Sequence, residues 1–280
     1  MRSVNANPSR TGTETADAGP AMLDVVRLDA DLFEGWCHDG RPGVIYGGQV
    51  AAQSLVAAGS TIEQGRAPHS LHAYFVRAGR ADLPVQYRVD RVRDGRSFAT
   101  RQVSAVQDGK TIFTMLASFH HQEDGFDHQF IDTDLPAVPS DEPVPSLIRN
   151  SAVGRLLDMR LADRDWDGAR QRFWFRVRER LADEPLTHAA ALTYASDMFL
   201  AVTSVLPHND HALMPVTSLD HAVWLHRPLR ADEWLLSVQH SSTAAGGRGF
   251  SSADVVTADG ILVATVQQEA LIRPPARPVA

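Results

Sequence analysis

The sequence contains only one cysteine, Cys37, among its 280 residues. A single cysteine excludes an internal disulfide and any metal site that is built from several thiolates. A lone thiol is far more often a buried apolar side chain than a nucleophile. We therefore interpret Cys37 as part of the core.

Long apolar runs and basic tracts are also missing. No run approaches the ~20 apolar residues that a membrane-spanning helix requires, so we predict no membrane span. The net charge is −7, and Lys110 is the only lysine, which argues against nucleic acid as a partner. The first residues lack the apolar core of a secretory signal, so we expect a disordered tail over residues 1–21 and a cytoplasmic protein.

Signatures of metal, nucleotide and covalent-serine chemistry are absent as well. The 12 histidines form no HExxH segment and no close metal-binding pair with a carboxylate. The segment Gly47-Gly48-Gln49 lacks the lysine of a phosphate-binding loop. Gly95-Arg96-Ser97-Phe98 begins like a serine-hydrolase elbow but continues with Ala99 where a glycine is needed. We expect no metal ion and no cofactor.

The chain does contain an internal repeat. HAYFVRAGRADLPVQYRV begins at His72, and HAVWLHRPLRADEWLLSV begins at His221. Both copies reach Arg-Ala-Asp, at residues 80–82 and 230–232, with a one-residue gap between them. This alignment makes His72 and His221 equivalent, and we interpret both as residues that support the fold.

A helical stretch precedes each copy. GGQVAAQSLVAAGSTI begins at Gly47, and HAAALTYASDMFLAVTSVL begins at His188. Both stretches are apolar nearly all round, which is typical of a helix enclosed by other structure. Each is followed by several runs that read as strands. The pattern predicts two units side by side, each an antiparallel sheet curled around one buried helix.

The composition divides the chain into two units and a linker. We predict a first repeat over residues 22–120 and a second over 151–273, where FWFRVRERL at 173–181 forms the opening strand. The Pro- and acid-rich stretch 121–150 between them reads as a surface linker. Residues 274–280 are expected to be a frayed tail.

Six motifs stand in one order along the chain: YGGQVAAQSL at 46–55, HSLHAYFVRAG at 69–79, RDGRSFATRQVSAVQDGKTIF at 93–113, YASDMFLAV at 194–202, SLDHAVWLHRP at 218–228 and VQQEALIR at 266–273. Together they resemble the acyl-CoA thioesterase II (TesB-type) family, over about residues 22–273. The resemblance implies an α+β double hot-dog fold and the hydrolysis of fatty acyl-CoA to a free fatty acid and CoA. It also implies a catalytic Asp, a hydroxyl residue and a Gln, with no covalent serine or cysteine chemistry.

Matched motif by motif, these catalytic positions are Asp197, Ser218 and Gln268. Acyl-CoA is the expected ligand, and the sequence leaves a homo-oligomer open. Asp197 stands in a predicted helix that is otherwise free of charge from Ala189 to Leu206. An ionised carboxylate in such a place is costly without partners. A structural Asp bonded to backbone or to a neighbouring serine is the alternative.

Alternation along the last strand distinguishes Gln268 from its neighbour Gln267. The even positions over 262–272 read Leu, Ala, Val, Gln, Ala and Ile. Because successive strand residues face opposite sides, Gln268 belongs to an inward apolar row, while Gln267 shares its row with Glu269. A buried Gln needs hydrogen-bond partners. A tether between sheet and helix would also supply them.

These groups predict a mechanism. Asp197 accepts a proton from water, and Ser218 and Gln268 hold that water as it attacks the thioester. Direct attack by Asp197 to give a mixed anhydride stays open. Two other classes of protein remain, a hot-dog enoyl-CoA hydratase and a non-catalytic acyl-CoA-binding protein. The chain has no Asp-x-Asn-x-x-His-like hydratase segment, and the three site residues argue against the binding protein.

Overall fold

The protein is described from a computed structural model that covers residues 21–131, 134–139, 151–208 and 216–273. The predicted tails, except Ala21, lie outside these residues. So do positions 132–133 and 140–150 of the predicted linker. The first residue of the predicted linker, His121, belongs to the last strand of the first half, and residues 122–131 and 134–139 contain neither helix nor strand. The division of the chain into two domains and a linker stays a prediction.

The first half contains one long helix and eight strands among its described residues. They are β1 (Val25–Asp29), β2 (Leu32–Gly35), β3 (Asp39–Arg41), β4 (Val44–Ile45), α1 (Gly47–Gly59), β5 (Arg66–Phe75), β6 (Val85–Asp94), β7 (Phe98–Gln107) and β8 (Lys110–His121), after a 3₁₀ turn at Ala21–Leu23.

The described part of the second half repeats this order without a counterpart of β3 and β4, and it adds two short helices and one short strand. Its elements are α2 (Ala152–Leu156), β9 (Leu157–Asp165), β10 (Arg170–Val177), α3 (Pro185–Ser196), α4 (Leu200–Thr203), β11 (Val216–Ser218), β12 (Asp220–Leu225), β13 (Leu235–Ala245), β14 (Arg248–Thr257) and β15 (Leu262–Ile272).

The strands of both halves join into one antiparallel sheet. Within the described chain it has 13 strands in the order β1-β2-β6-β7-β8-β5-β12-β15-β14-β13-β10-β9, and β11 adds to β15. The order reads the same from either end once the two repeats are matched. β5 and β12 stand at its centre and pair with each other, Val223 opposite Leu71. This pairing makes one continuous sheet from two repeated units.

The sheet covers α1 and α3, which pack against each other with their small residues in contact. Ala51 and Ala52 of α1 and Ala190 and Ala191 of α3 have no exposed surface. A side chain on Gly48 would place its Cβ only 2.4 Å from the carbonyl oxygen of Tyr194. The start of α1 therefore meets the end of α3. The predicted double hot-dog architecture, a sheet wrapped around a central helix in each repeat, is confirmed.

The predicted equivalence of His72 and His221 is wrong. His72 is exposed, whereas His221 is 1% exposed on the inner face of the sheet. A strand alternates its faces with period two, so the one-residue gap in the sequence alignment reverses the side on which a residue lies. Without the gap, His221 corresponds to buried Leu71, and the two Arg-Ala-Asp segments still match.

Two predicted elements have different bounds in the structure. The second repeat opens with β9, and the strand expected at 173–181 is Arg170–Val177. β9 is an edge strand of the sheet, and apolar residues alternate with charged ones along its first half. The helix expected to run from His188 towards Leu206 ends at Ser196, and a separate turn of helix follows at Leu200–Thr203.

No described helix is long and apolar enough to cross a membrane. The cytoplasmic location stays a prediction.

Gly48→Ala should destabilise the fold, because its Cβ would lie 2.4 Å from a backbone oxygen of α3 and the two helices would have to separate. Overpacking of this kind costs about 1–3 kcal/mol in the free energy of unfolding. Gly125→Ala is the matched control, since nothing lies within 4 Å of its Cβ position. Denaturant unfolding of the two variants checks this, and equal stabilities would refute the close helix contact.

Candidate active site

Asp197 directly follows Ser196, the last residue of α3. It has φ −75° and ψ −8° as the C-terminal cap, and two residues later Phe199 adopts the left-handed conformation with φ 62°. The last carbonyls of a helix carry partial negative charge, so this end of α3 does not favour a carboxylate. The stabilising groups must come from elsewhere.

Three donors from three different elements converge on the carboxylate. The backbone N–H of Gly48, in the first turn of α1, donates to Oδ2 at 2.9 Å. Nε2 of Gln268, on β15, donates to Oδ1 at 2.8 Å. The hydroxyl of Ser218, at the end of β11, also hydrogen-bonds the carboxylate. The structure thus brings together Asp197, Ser218 and Gln268, and adds Gly48.

Sequence reasoning missed Gly48 as a donor, although the motif Gly47-Gly48 gave a signal. A Cβ on Gly47 would lie 2.9 Å from Oδ2 of Asp197. The paired glycines therefore let the start of α1 approach the carboxylate closely. The positive end of the α1 dipole faces the acid and offsets the unfavourable end of α3.

Burial and hydrogen bonding have opposite effects on the carboxylate. Burial raises the pKa of Asp197 to about 6, while the hydrogen bonds from Gln268, Gly48 and Ser218 each lower it. Desolvation favours the neutral acid, whereas donors favour the anion. The net result is a carboxylate that is ionised at neutral pH and more basic than an ordinary aspartate.

The two adjacent glutamines of β15 have different environments. Gln268 is 1% exposed, and Gln267 is half-buried on the other face. The inward orientation expected for Gln268 is confirmed. Its contact with Asp197 explains why an amide lies in an apolar row.

A buried polar cluster holds the chain just after Asp197. Nε2 of Gln239 donates to the carbonyl of Met198 at 2.8 Å, and the Thr203 hydroxyl is 3.0 Å from the carbonyl of Phe199. Gln171 bridges Gln239 and Thr203 at 2.9 and 2.7 Å. A left-handed non-glycine residue is strained and persists where its surroundings fix it. These side chains supply that restraint.

Two buried tyrosines, Tyr46 and Tyr194, lie close to Asp197. The hydroxyl of Tyr46 donates to the carbonyl of Tyr194 at 2.9 Å, and the Tyr194 hydroxyl lies 2.6 Å from Nε2 of His38. Burial, with Asp197 nearby, raises the pKa of Tyr46 well above its usual value. Both phenols are therefore neutral at physiological pH.

The corresponding helix end in the first repeat has different chemistry. α1 is followed by Ser60 where α3 is followed by Asp197. The buried guanidinium of Arg101 lies at this end and donates to the Thr61 hydroxyl at 2.8 Å and to the Thr61 carbonyl at 3.1 Å. A cation satisfies this helix end directly, so the two repeats are not functionally equivalent.

Cys37 matches its interpretation as a core residue. Its thiol is buried within 3.6 Å of the Tyr87 hydroxyl, and burial raises its pKa to about 12. The thiol is therefore protonated and a poor nucleophile. In the residues that the structure describes, no group of three His, Cys, Asp or Glu side chains could hold a metal ion.

Comparison with known families matches both repeats. The family model for the acyl-CoA thioesterase N-terminal domain matches residues 34–120, and that for the acyl-CoA thioesterase C-terminal domain matches residues 132–272.

Individual relatives agree with these models. Acyl-coenzyme A thioesterase 8 of Homo sapiens is 35% identical, over 90% of this chain and 88% of the relative. The crystal structure of an acyl-CoA thioesterase II, TesB2, from Mycobacterium marinum is 38% identical with a TM-score of 0.79, covering 92% of this chain and 98% of that one. A conserved protein of unknown function with a hot dog fold from Alicyclobacillus acidocaldarius has a TM-score of 0.77 at 23% identity, over 91% and 98% of the two chains, and shows the fold alone. The chain belongs to the acyl-CoA thioesterase II family.

Proposed function

We propose that this protein hydrolyses fatty acyl-CoA to a free fatty acid and CoA, with Asp197 as the general base for direct attack by water. The observation that carries the proposal is the buried carboxylate of Asp197, which accepts hydrogen bonds from Gly48, Ser218 and Gln268. Burial of a carboxylate costs free energy of folding, and a carboxylate with a raised pKa is suited to proton transfer near neutral pH.

The protons balance over the proposed reaction. Asp197 takes a proton from the attacking water, whose oxygen bonds to the thioester carbon. The tetrahedral intermediate then expels the CoA thiolate, and the protonated Asp197 returns the proton to the leaving sulfur. Ser218 and Gln268 hold the carboxylate and the water in one geometry. The base is restored after each turnover.

The start of α1 is the proposed source of oxyanion stabilisation. A helix start leaves N–H groups without partners in the helix, and its dipole favours developing negative charge. The Gly48 N–H donates to Asp197, and the Gln49 N–H donates to the carbonyl of Tyr46 at 3.2 Å. The N–H of Gly47 is therefore the proposed donor to the oxyanion.

The hydrogen bonds to Asp197 favour water attack over a mixed anhydride. Oδ1 accepts from Gln268 and Oδ2 from Gly48, so both oxygens are held by protein donors. A carboxylate held in this way is a weaker nucleophile, because attack would require the loss of those bonds. It can still accept a proton through a remaining lone pair.

An assay on a panel of acyl-CoAs of increasing chain length, together with an enoyl-CoA, tests the function. We expect release of free thiol from saturated acyl-CoA and no loss of the enoyl double bond. Loss of the double bond without thiol release would favour a hydratase. Binding of acyl-CoA with neither reaction would favour a non-catalytic binding protein.

Asp197→Asn should suppress turnover while leaving the fold intact, because the amide keeps the shape but cannot accept the proton. General-base assistance is typically worth about 10²–10⁴-fold, so kcat should fall by that order. Circular dichroism checks the fold. A folded variant with near-normal turnover would remove Asp197 from the mechanism.

The activity should depend on ionisation of Asp197, so kcat/KM should rise with pH through about 6 and level off above it. The folded-state pKa exceeds the unfolded value, so this group contributes stability at low pH that is lost as pH rises through about 6. The loss amounts to roughly 3 kcal/mol. Relative to wild type, Asp197→Asn should therefore gain about that much unfolding free energy between pH 4 and pH 8. An equal difference at both pH values would contradict the raised pKa.

Gln268→Ala should lower kcat/KM by about 10- to 100-fold, because it removes a charge-assisted hydrogen bond to the base. Gln267→Ala is the matched control, since the same side chain is removed one residue away on the other face of β15. Steady-state kinetics on the two folded variants provides the comparison. Similar losses in both would contradict the assignment of Gln268.

A further inference from the structure

Three buried polar atoms beside the candidate site have no hydrogen-bond partner within the described residues. They are Oε1 of Gln268, Oγ of Ser251 and Nδ1 of His221. Each of the three residues is 1% exposed. Buried polar atoms are almost always paired, so three unpaired atoms on neighbouring strands indicate a shared partner.

The sheet places the three side chains next to one another. Ser251 on β14 is the register partner of Gln268 on β15. On the other edge of β15, Ala222 pairs with Gln267, which sets His221 beside Gln268. All three side chains are buried on the inner face, so Gln268 lies between a serine and a histidine.

The hydrogen bond to Asp197 requires one orientation of the Gln268 amide. The carboxylate of Asp197 can only accept, so Nε2 must face it, at 2.8 Å, and Oε1 must face away. An amide whose oxygen has no donor can rotate by half a turn. Rotation would bring Oε1 against the carboxylate and remove a donor from the base.

His221 cannot supply the missing donor. The Ser196 hydroxyl donates to the carbonyl of Thr193 at 2.9 Å. It therefore accepts from Nε2–H of His221, at 2.8 Å. Burial lowers the pKa of His221 to about 4, so the neutral ring leaves Nδ1 without a proton. Among the three unpaired atoms, the Ser251 hydroxyl is the only donor, and the other two are acceptors.

We propose that Ser251 and His221 hold one ordered water against Oε1 of Gln268, and that this water fixes the amide orientation that Asp197 requires. The Ser251 hydroxyl donates to the water, and the water donates to Oε1 of Gln268 and to Nδ1 of His221. A buried water typically makes about three hydrogen bonds, and these three satisfy every unpaired atom. Ser251 and His221 are positioning residues that act through Gln268, a role that rests on the proposed function of Asp197.

Ser251→Ala tests the proposal, with Ser252→Ala as its matched control. Ser252 is the next residue of β14, and its hydroxyl lies on the opposite face against His240. Loss of the Ser251 hydroxyl should lower kcat/KM about tenfold and move the acid limb of the pH profile to higher pH. The pKa of Asp197 rises because the hydrogen bond from Gln268, which lowers it, is weakened. Ser252→Ala should match wild type.

A second measurement does not depend on turnover. The pKa of Asp197, followed by ¹³C NMR of labelled aspartate carboxyls, should be higher in Ser251→Ala than in wild type or Ser252→Ala. Absence of thiol release by the wild-type protein would refute the proposed function alone. An unchanged Asp197 pKa and unchanged kcat/KM in folded Ser251→Ala would overturn the role of Ser251.

A double-mutant cycle separates positioning from a general loss of packing. In a Gln268→Ala background, Ser251→Ala should have no further effect on kcat/KM. An equal loss in both backgrounds would overturn the proposal. If Ser251→Ala does not fold, Ser251→Cys keeps the volume with a weaker donor, and the same shifts are expected at reduced size. Wild-type kinetics and an unchanged Asp197 pKa in that variant would overturn the proposal equally.

Discussion

The buried carboxylate of Asp197 is the group on which the rest of the site depends. It lies at the end of one central helix and at the start of the other, and burial raises its pKa to about 6. An unpaired charge in this position would strongly destabilise the folded protein, so the carboxylate needs hydrogen-bond donors. One donor comes from the start of α1, one from β11 and one from β15. The antiparallel packing of α1 against α3 is therefore a condition of the proposed chemistry as well as of the core.

The two repeats give one architecture but different helix ends. Duplicated strands form a sheet whose order is symmetric about β5 and β12, and this symmetry would create two equivalent helix junctions. At one junction Gly47 and Gly48 leave room for a carboxylate. At the other, Leu186 fills the space beside Gly59, where a Cβ would lie 2.5 Å from its side chain. The buried carboxylate thus lies at one junction, whereas Leu186 and the buried Arg101 lie at the other.

Much of this could be predicted from the sequence because its strongest signals are local and repeated. The apolar helix beginning at Gly47, the turn signals and the alternation that buries Gln268 all follow from side-chain periodicity. The end of α3 at Ser196 could not be predicted, because apolar residues continue beyond it and the break depends on tertiary contacts to Met198 and Phe199. The donor from Gly48 could not be assigned either, since paired glycines indicate a close approach of the backbone but not which N–H group faces the carboxylate. The one-residue error at His72 shows how a strand alignment can match residue types and still assign the wrong face.

The central claim is that Asp197 activates water and does not itself attack the thioester. A single turnover of acyl-CoA with excess enzyme in ¹⁸O-water, followed by mass spectrometry of the fatty acid and of the peptide that contains Asp197, tests it directly. Water attack places the label in the fatty acid and leaves the Asp197 peptide at its unlabelled mass. Label in the Asp197 carboxylate after one turnover, or an Asp197 peptide heavier by the acyl group in a rapidly quenched sample, would contradict the claim and establish a mixed anhydride.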